Sequence, residues 1–97
     1  MNPFDELFGD LERDEGYLRA HAVNDFTLEV ERRMALLGLT KADLARRLGS
    51  SRAYVTKMLG GQAKFTVETM VRVAKALEAR VHFHVEPGPD AGAATDR

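Results

Sequence analysis

"TKADLARRLGSSRAYVTKMLGG", residues 40–61, contains two short helical patterns joined at a glycine. Thr40 has the residue type that caps a helix N-terminus. Leu39 before it and Leu44 after it are spaced as a hydrophobic staple. Leu44, Ala45 and Leu48 form the inward side of this first helix, and Gly49 ends it with access to positive φ. Ser50 or Ser51 caps the second helix, in which Val55, Met58 and Leu59 point inward. The opposite side reads Arg52, Ala53, Tyr54, Thr56 and Lys57, a set of small or hydrogen-bonding groups. Small Ala45 suits a close crossing of the two helices. The arrangement is a helix-turn-helix, and the groups on its outward side suit a DNA major groove.

Charge supports the same region. The 97-residue chain has a net charge of −1, which conceals a strong segregation. Residues 1–31 hold nine acids and two bases. Residues 32–64 hold eight bases, Arg32, Arg33, Lys41, Arg46, Arg47, Arg52, Lys57 and Lys64, against one acid, Asp43. The basic third is the candidate anion-facing surface. Solvated helix faces carry such residues in many domains, but here they coincide with the two capped helices.

The surrounding sequence supplies a framework. Phe4, Leu7, Phe8 and Leu11 share one face of a first helix, with Asn2 as cap and Pro3 at its first position. From residue 17 to 37 a stripe runs Leu18, Ala22, Phe26, Val30, Met34, Leu37, ending at Gly38. Gly16 interrupts the preceding element or begins a new one, and the mediocre helix formers Asn24 to Thr27 leave room for a break. "GGQAKF" is a loop. Thr66 caps a last helix, stapled by Phe65 and Met70, with Val67, Met70, Val71, Ala74 and Leu77 inward. Then the period changes: Val81, Phe83 and Val85 alternate with His82, His84 and Glu86, as in a half-buried strand. Pro87 stops it. "GPDAGAATDR" is small and polar, and is expected to be disordered.

A lone strand leaves its backbone groups without partners. Pairing with a two-fold copy through Val81, Phe83 and Val85 satisfies them and predicts a homodimer; the alternative is a frayed tail lying on its own core.

Other chemistry finds little footing. The chain has no cysteine, hence no disulfide, thiolate metal site or cysteine nucleophile, which fits a reducing cytoplasm. No apolar run approaches the ~20 residues of a membrane span. His82 and His84 share a strand face but lack a third ligand, so no metal or other cofactor is expected. The carboxylates of residues 5–15 have no nucleophile arrangement beside them, and "MLGGQAKF" lacks the strand and Lys-Ser/Thr of a P-loop. An enzyme is not expected. The acidic, amphipathic N-terminal segment either packs on the longer helix or hooks another protein.

Thr40 to Ser51, followed by Val55 and Leu59-Gly60-Gly61, resembles the helix-turn-helix family of phage lambda repressor and Cro, the XRE family. The likeness covers roughly residues 27–80. It implies an all-α, five-helix fold, to which the dimerising C-terminal strand is added. The expected organisation is an acidic segment at 1–16, the helix-turn-helix domain at 17–80, a dimerising strand at 81–87 and a tail at 88–97. The implied function is sequence-specific binding of double-stranded DNA by a transcriptional regulator, a repressor on a palindromic operator. The resemblance places Arg52, Ala53, Tyr54 and Lys57 on base edges. It places Lys41, Ser51, Thr56, Gln62 and Lys64 on phosphates, with Arg46 and Arg47 either adding charge or simply solvated. Family members commonly carry Gln or Glu where this chain has Lys41, which favours a phosphate over a base for that position. A dimerising strand after the last helix also resembles antitoxins that neutralise a ribonuclease toxin. That implies an alternative in which a toxin protein is a partner and the chain autoregulates its operon.

Overall fold

The computed structural model describes residues 14–88, which form four helices: α1 (Glu15–Leu37), α2 (Lys41–Leu48), α3 (Arg52–Leu59) and α4 (Val67–Ala76). The helix expected around Phe4 to Leu11 lies outside the described residues, as does nearly all of the expected tail. Five helices therefore become four among the described residues.

Local chemistry sets each helix start. The Asp14 carboxylate accepts the Tyr17 N–H at 3.0 Å, so α1 begins one residue before Gly16, and the glycine lies inside its first turn. Thr40 and Asp43 form a reciprocal capping box on α2. Of the two candidate serines, Ser51 caps α3, its Oγ accepting the Tyr54 N–H at 3.0 Å. Thr66 caps α4 through the Thr69 N–H. These bonds satisfy amide donors that the helix itself leaves open.

Two helix ends rest on glycine. Gly38 and Gly49 have φ of +69° and +67°, the left-handed conformation that a side chain penalises. Each turn is closed by a bond from the following amide: Leu39 N–H to the Met34 carbonyl, and Ser50 N–H to the Ala45 carbonyl, both 2.9 Å.

The end of α4 is built differently. Glu78 adopts φ +56° without being glycine, a conformation that costs roughly 1–2 kcal/mol. Arg33 of α1 donates from Nε to the Leu77 carbonyl at 2.9 Å and from Nη2 to the Glu78 carbonyl at 3.0 Å. Arg47 of α2 donates to the Ala76 carbonyl at 2.9 Å and to the Glu78 carboxylate at 3.2 Å. Two guanidinium groups therefore hold the negative end of α4 and offset the strained turn.

The core lies where α2 meets α3 and α4 and where α1 crosses α3. Leu44, Val55 and Met58 have no exposure at all. Val73 of α4 and Leu77 at its C-cap join them, with Val30 and Met34 from α1. Each such side chain stabilises the fold by about 1.5–3 kcal/mol. The buried sides depart from the expected stripes in two places. In α4 Val73 is buried, while Val67 and Val71 are 58% and 48% exposed. In α1 Leu18 and Ala22 are exposed, because no described element packs over the first two turns. α1 also runs unbroken through Asn24–Thr27. Thr27 is buried, and its hydroxyl donates to the Asn24 carbonyl at 3.1 Å, so the core pins the region of weak propensity. Phe65 reaches back from the loop to meet Phe26 edge-on, with ring centroids 5.8 Å apart.

Residues 79–88 follow α4 as irregular chain, and no strand forms among the described residues. The expected strand at 81–86 is thus not present in the single copy. Its backbone has no neighbouring strand to bond, and Phe83 and Val85 stand 59% and 97% exposed.

Candidate nucleic-acid interface

Successive residues of α3 advance by 100°, and burial sorts them cleanly. Val55 and Met58 occupy one side and are fully buried. Arg52, Ala53, Thr56 and Lys57 are exposed and fall within an arc of roughly 140° on the other side. The helix is therefore locked by its apolar side with a polar arc facing solvent.

Tyr54 departs from the expected outward set. It is half-buried, packs against the core and helps line a small cavity of about 200 Å3 with Leu48, Thr69 and Val73. On the helical wheel it lies on the flank of the polar arc. Its ring leans toward α4 instead of standing beside Arg52.

The other sequence-predicted positions lie at the start of α3, at the start of α2 and in the loop after α3. Ser51 is exposed at the start of α3; its Oγ accepts the capping bond, so its O–H remains able to donate. Lys41 is half-buried at the first position of α2, where the helix dipole presents positive charge. Gln62 and Lys64 are exposed in the loop after α3. The Gln62 N–H returns to the Lys57 carbonyl at 2.9 Å, which ties the loop to the end of that helix.

Three of the remaining bases of this region have structural partners, and among the described residues Arg32 has none. Arg46 pairs with the Asp43 carboxylate. Asp43 also receives the Thr40 N–H at 2.8 Å. The bonds from Thr40, backbone first and side chain second, hold the Asp43 carboxyl below its ordinary range, helped by the charges of Arg46 and Arg47. Arg33 and Arg47 are committed to the end of α4. Arg72, outside the basic third, reaches the last carbonyl of α2, that of Leu48, at 3.4 Å. Sequence reasoning gave Arg33 no partner and left Arg47 either adding charge or solvated; their acceptors lie more than 25 positions away, and no local pattern announces them.

Among the described residues no group of three His, Cys, Asp or Glu is arranged to hold a metal, and no helix is long and apolar enough to cross a membrane. His82 and His84 are both exposed, and His84 lies 3.1 Å from the Glu86 carboxylate.

Two short capped helices joined at a left-handed glycine, the second with a locked apolar side and a free polar arc, define a helix-turn-helix DNA-binding protein. A family model described as "Helix-turn-helix" matches residues 30–81, more than half of the chain. The chain belongs to this family, that of the lambda repressor/Cro-like (XRE) transcriptional regulators. Searches of curated proteins and of solved structures returned no match.

Proposed function

We propose that the protein is a repressor that binds a palindromic operator as a homodimer and acts in the cytoplasm by occupancy, not catalysis. The observation that carries this reading is the locked polar arc of α3, with Arg52 at its start after the capping Ser51 and Lys57 on the same exposed arc. Arg52 has the fork geometry to bond guanine O6 and N7 together, on the order of 1–3 kcal/mol of discrimination against other bases. Lys41, Ser51, Thr56, Gln62 and Lys64 are assigned to phosphate oxygens, contacts that set register without reading sequence.

The two-fold arrangement draws support from the chain after α4. Val81, Phe83 and Val85 alternate with polar residues, and Phe83 and Val85 are exposed in one copy. Antiparallel pairing with a second copy gives this backbone a ladder and covers its apolar side. Two recognition helices then meet half-sites about 34–36 Å apart. A promoter occupied across that span is closed to polymerase.

Selection of bound fragments from random duplex DNA, followed by transcription from a promoter carrying the selected site, tests the reading. A two-fold symmetric site and reduced transcription are expected. An asymmetric single site, or increased transcription, would overturn it. Arg52→Ala is expected to relax preference at one operator position, whereas Lys64→Ala weakens all sequences alike. Deletion of residues 81–97 is expected to yield monomers in sedimentation.

A further inference from the structure

Residues of α1, α4 and the chain after α4 enclose an open groove of about 900 Å3. No residue of α2 or α3 lines it, so an occupant leaves the DNA-facing helices free. Its floor is apolar, from Phe26 and Val30 of α1 to Met70 of α4 and Leu77 at its C-cap. One wall is a single line along α1: Asp25, Glu29, Arg32 and Leu36, at steps of four, three and four. All four are exposed, Leu36 by 75%. Among the described residues neither Glu29 nor Arg32 has a hydrogen-bond or salt-bridge partner for its side chain, whereas Arg33 and Arg47 bond to the end of α4.

The order of this line is the informative feature. Acid, acid, base and apolar residue follow one another around a midpoint between Glu29 and Arg32. An antiparallel copy of the same helix, related by a two-fold axis through that midpoint, sets Glu29 against Arg32 and Arg32 against Glu29. At 1.5 Å per residue, Leu36 of one copy then falls at the level of Asp25 of the other, over the space between Ala22 and Phe26. A two-fold contact must be self-complementary in this way, and a foreign partner imposes no such symmetry on the sequence.

We propose that α1 packs antiparallel on α1 of a second copy through reciprocal Glu29–Arg32 ion pairs, with Leu36 seated in the opposite groove. This rests on the homodimer proposed above and adds to its tail strand a second contact. Phe83 lines the same groove, so the helix contact and the strand contact are continuous. Asp25 already has a neighbour in His21, at 3.5 Å, and stays at the rim.

A charge-exchange series on the full chain tests the contact by sedimentation equilibrium, with helical content followed by circular dichroism. Glu29→Arg and Arg32→Glu each turn two attractive contacts into repulsive ones, and each is expected to weaken dimerisation by at least about tenfold. The double exchange restores both pairs in reversed polarity and is expected to recover most of the affinity, which a merely structural role for either residue does not allow. Unchanged dimerisation in both single variants overturns the proposal, as does a double variant as weak as the singles. The tail-deleted chain separates the two readings. Monomers on tail deletion with charge-insensitive dimerisation leave the strand and remove the helix contact. Persistent dimers that remain charge-sensitive do the reverse. A full chain that is monomeric at every concentration overturns both.

Discussion

Replacing Arg33 tests whether the end of α4 is held by side chains from elsewhere in the fold. Arg33→Ala removes two donors at once, to the Leu77 carbonyl at 2.9 Å and the Glu78 carbonyl at 3.0 Å. The first bond is partly buried, and a charged donor there is worth on the order of 1–1.5 kcal/mol after solvent competition. The second is exposed, and water replaces most of it, leaving about 0.5 kcal/mol or less. The expected loss is about 1.5 kcal/mol, or roughly 6–12 °C in Tm for a domain of this size. Arg33→Lys is expected to recover half or less, because a single ammonium does not reproduce the planar fork that spans both acceptors. Thermal melts followed by circular dichroism give the magnitude. Hydrogen exchange at the Ala79 amide, which closes the turn onto the Ala74 carbonyl at 2.9 Å, gives the location. Arg33 and Arg47 grip the same helix end, so the double alanine variant is expected to be non-additive by 0.5 kcal/mol or more, as an order of magnitude. A loss below about 0.5 kcal/mol with unchanged Ala79 protection would refute the idea that this turn depends on the arginine.

Three further outcomes follow from the same framework. Met58→Ala, at a fully buried position, is expected to cost about 2–5 kcal/mol by urea titration and to loosen α3 before any DNA contact is touched. Gly49→Ala meets no atom within 4 Å, so its whole effect is backbone strain at positive φ, roughly 1–2 kcal/mol; an unchanged midpoint would show that the turn relaxes. The depressed pKa of Asp43 gives a signed pH dependence. Its contribution is present above the ordinary carboxylate value and is lost as pH falls through the lower folded value. Acid titration of Asp43→Asn against the parent is therefore expected to show a smaller stability loss below about pH 4 for the variant.

The helix-turn-helix was legible because its determinants are local. Thr40, Ser51 and Thr66 cap helices that begin beside them, and Gly38 and Gly49 end helices just before them. The rotation of α4 was less legible. Met70, Ala74 and Leu77 satisfy the period on their own, and Val71 and Val73 flank them on opposite sides of the wheel. Only packing against α2 chooses Val73. Tyr54 posed the same ambiguity at the edge of the polar arc. The continuity of α1 through Asn24–Thr27 was hidden because burial of Thr27 overrides propensity. Arg33 and Arg47 were misread for a different reason: a count of positive charges does not reveal which of them have acceptors waiting at a distant helix end.

That division of labour among the arginines bears on how binding responds to ions. Eight bases in residues 32–64 suggest a large release of condensed counterions from a duplex. Arg33, Arg46 and Arg47 are bonded within the fold, and Arg32 lies on α1 beside the groove. Lys41, Arg52, Lys57 and Lys64 remain, and of these Arg52 and Lys57 are assigned to base edges, which leaves Lys41 and Lys64 for phosphates. A plot of log K against log salt should therefore fall with a slope near ~−1.8 per copy, a quarter of what the raw count implies.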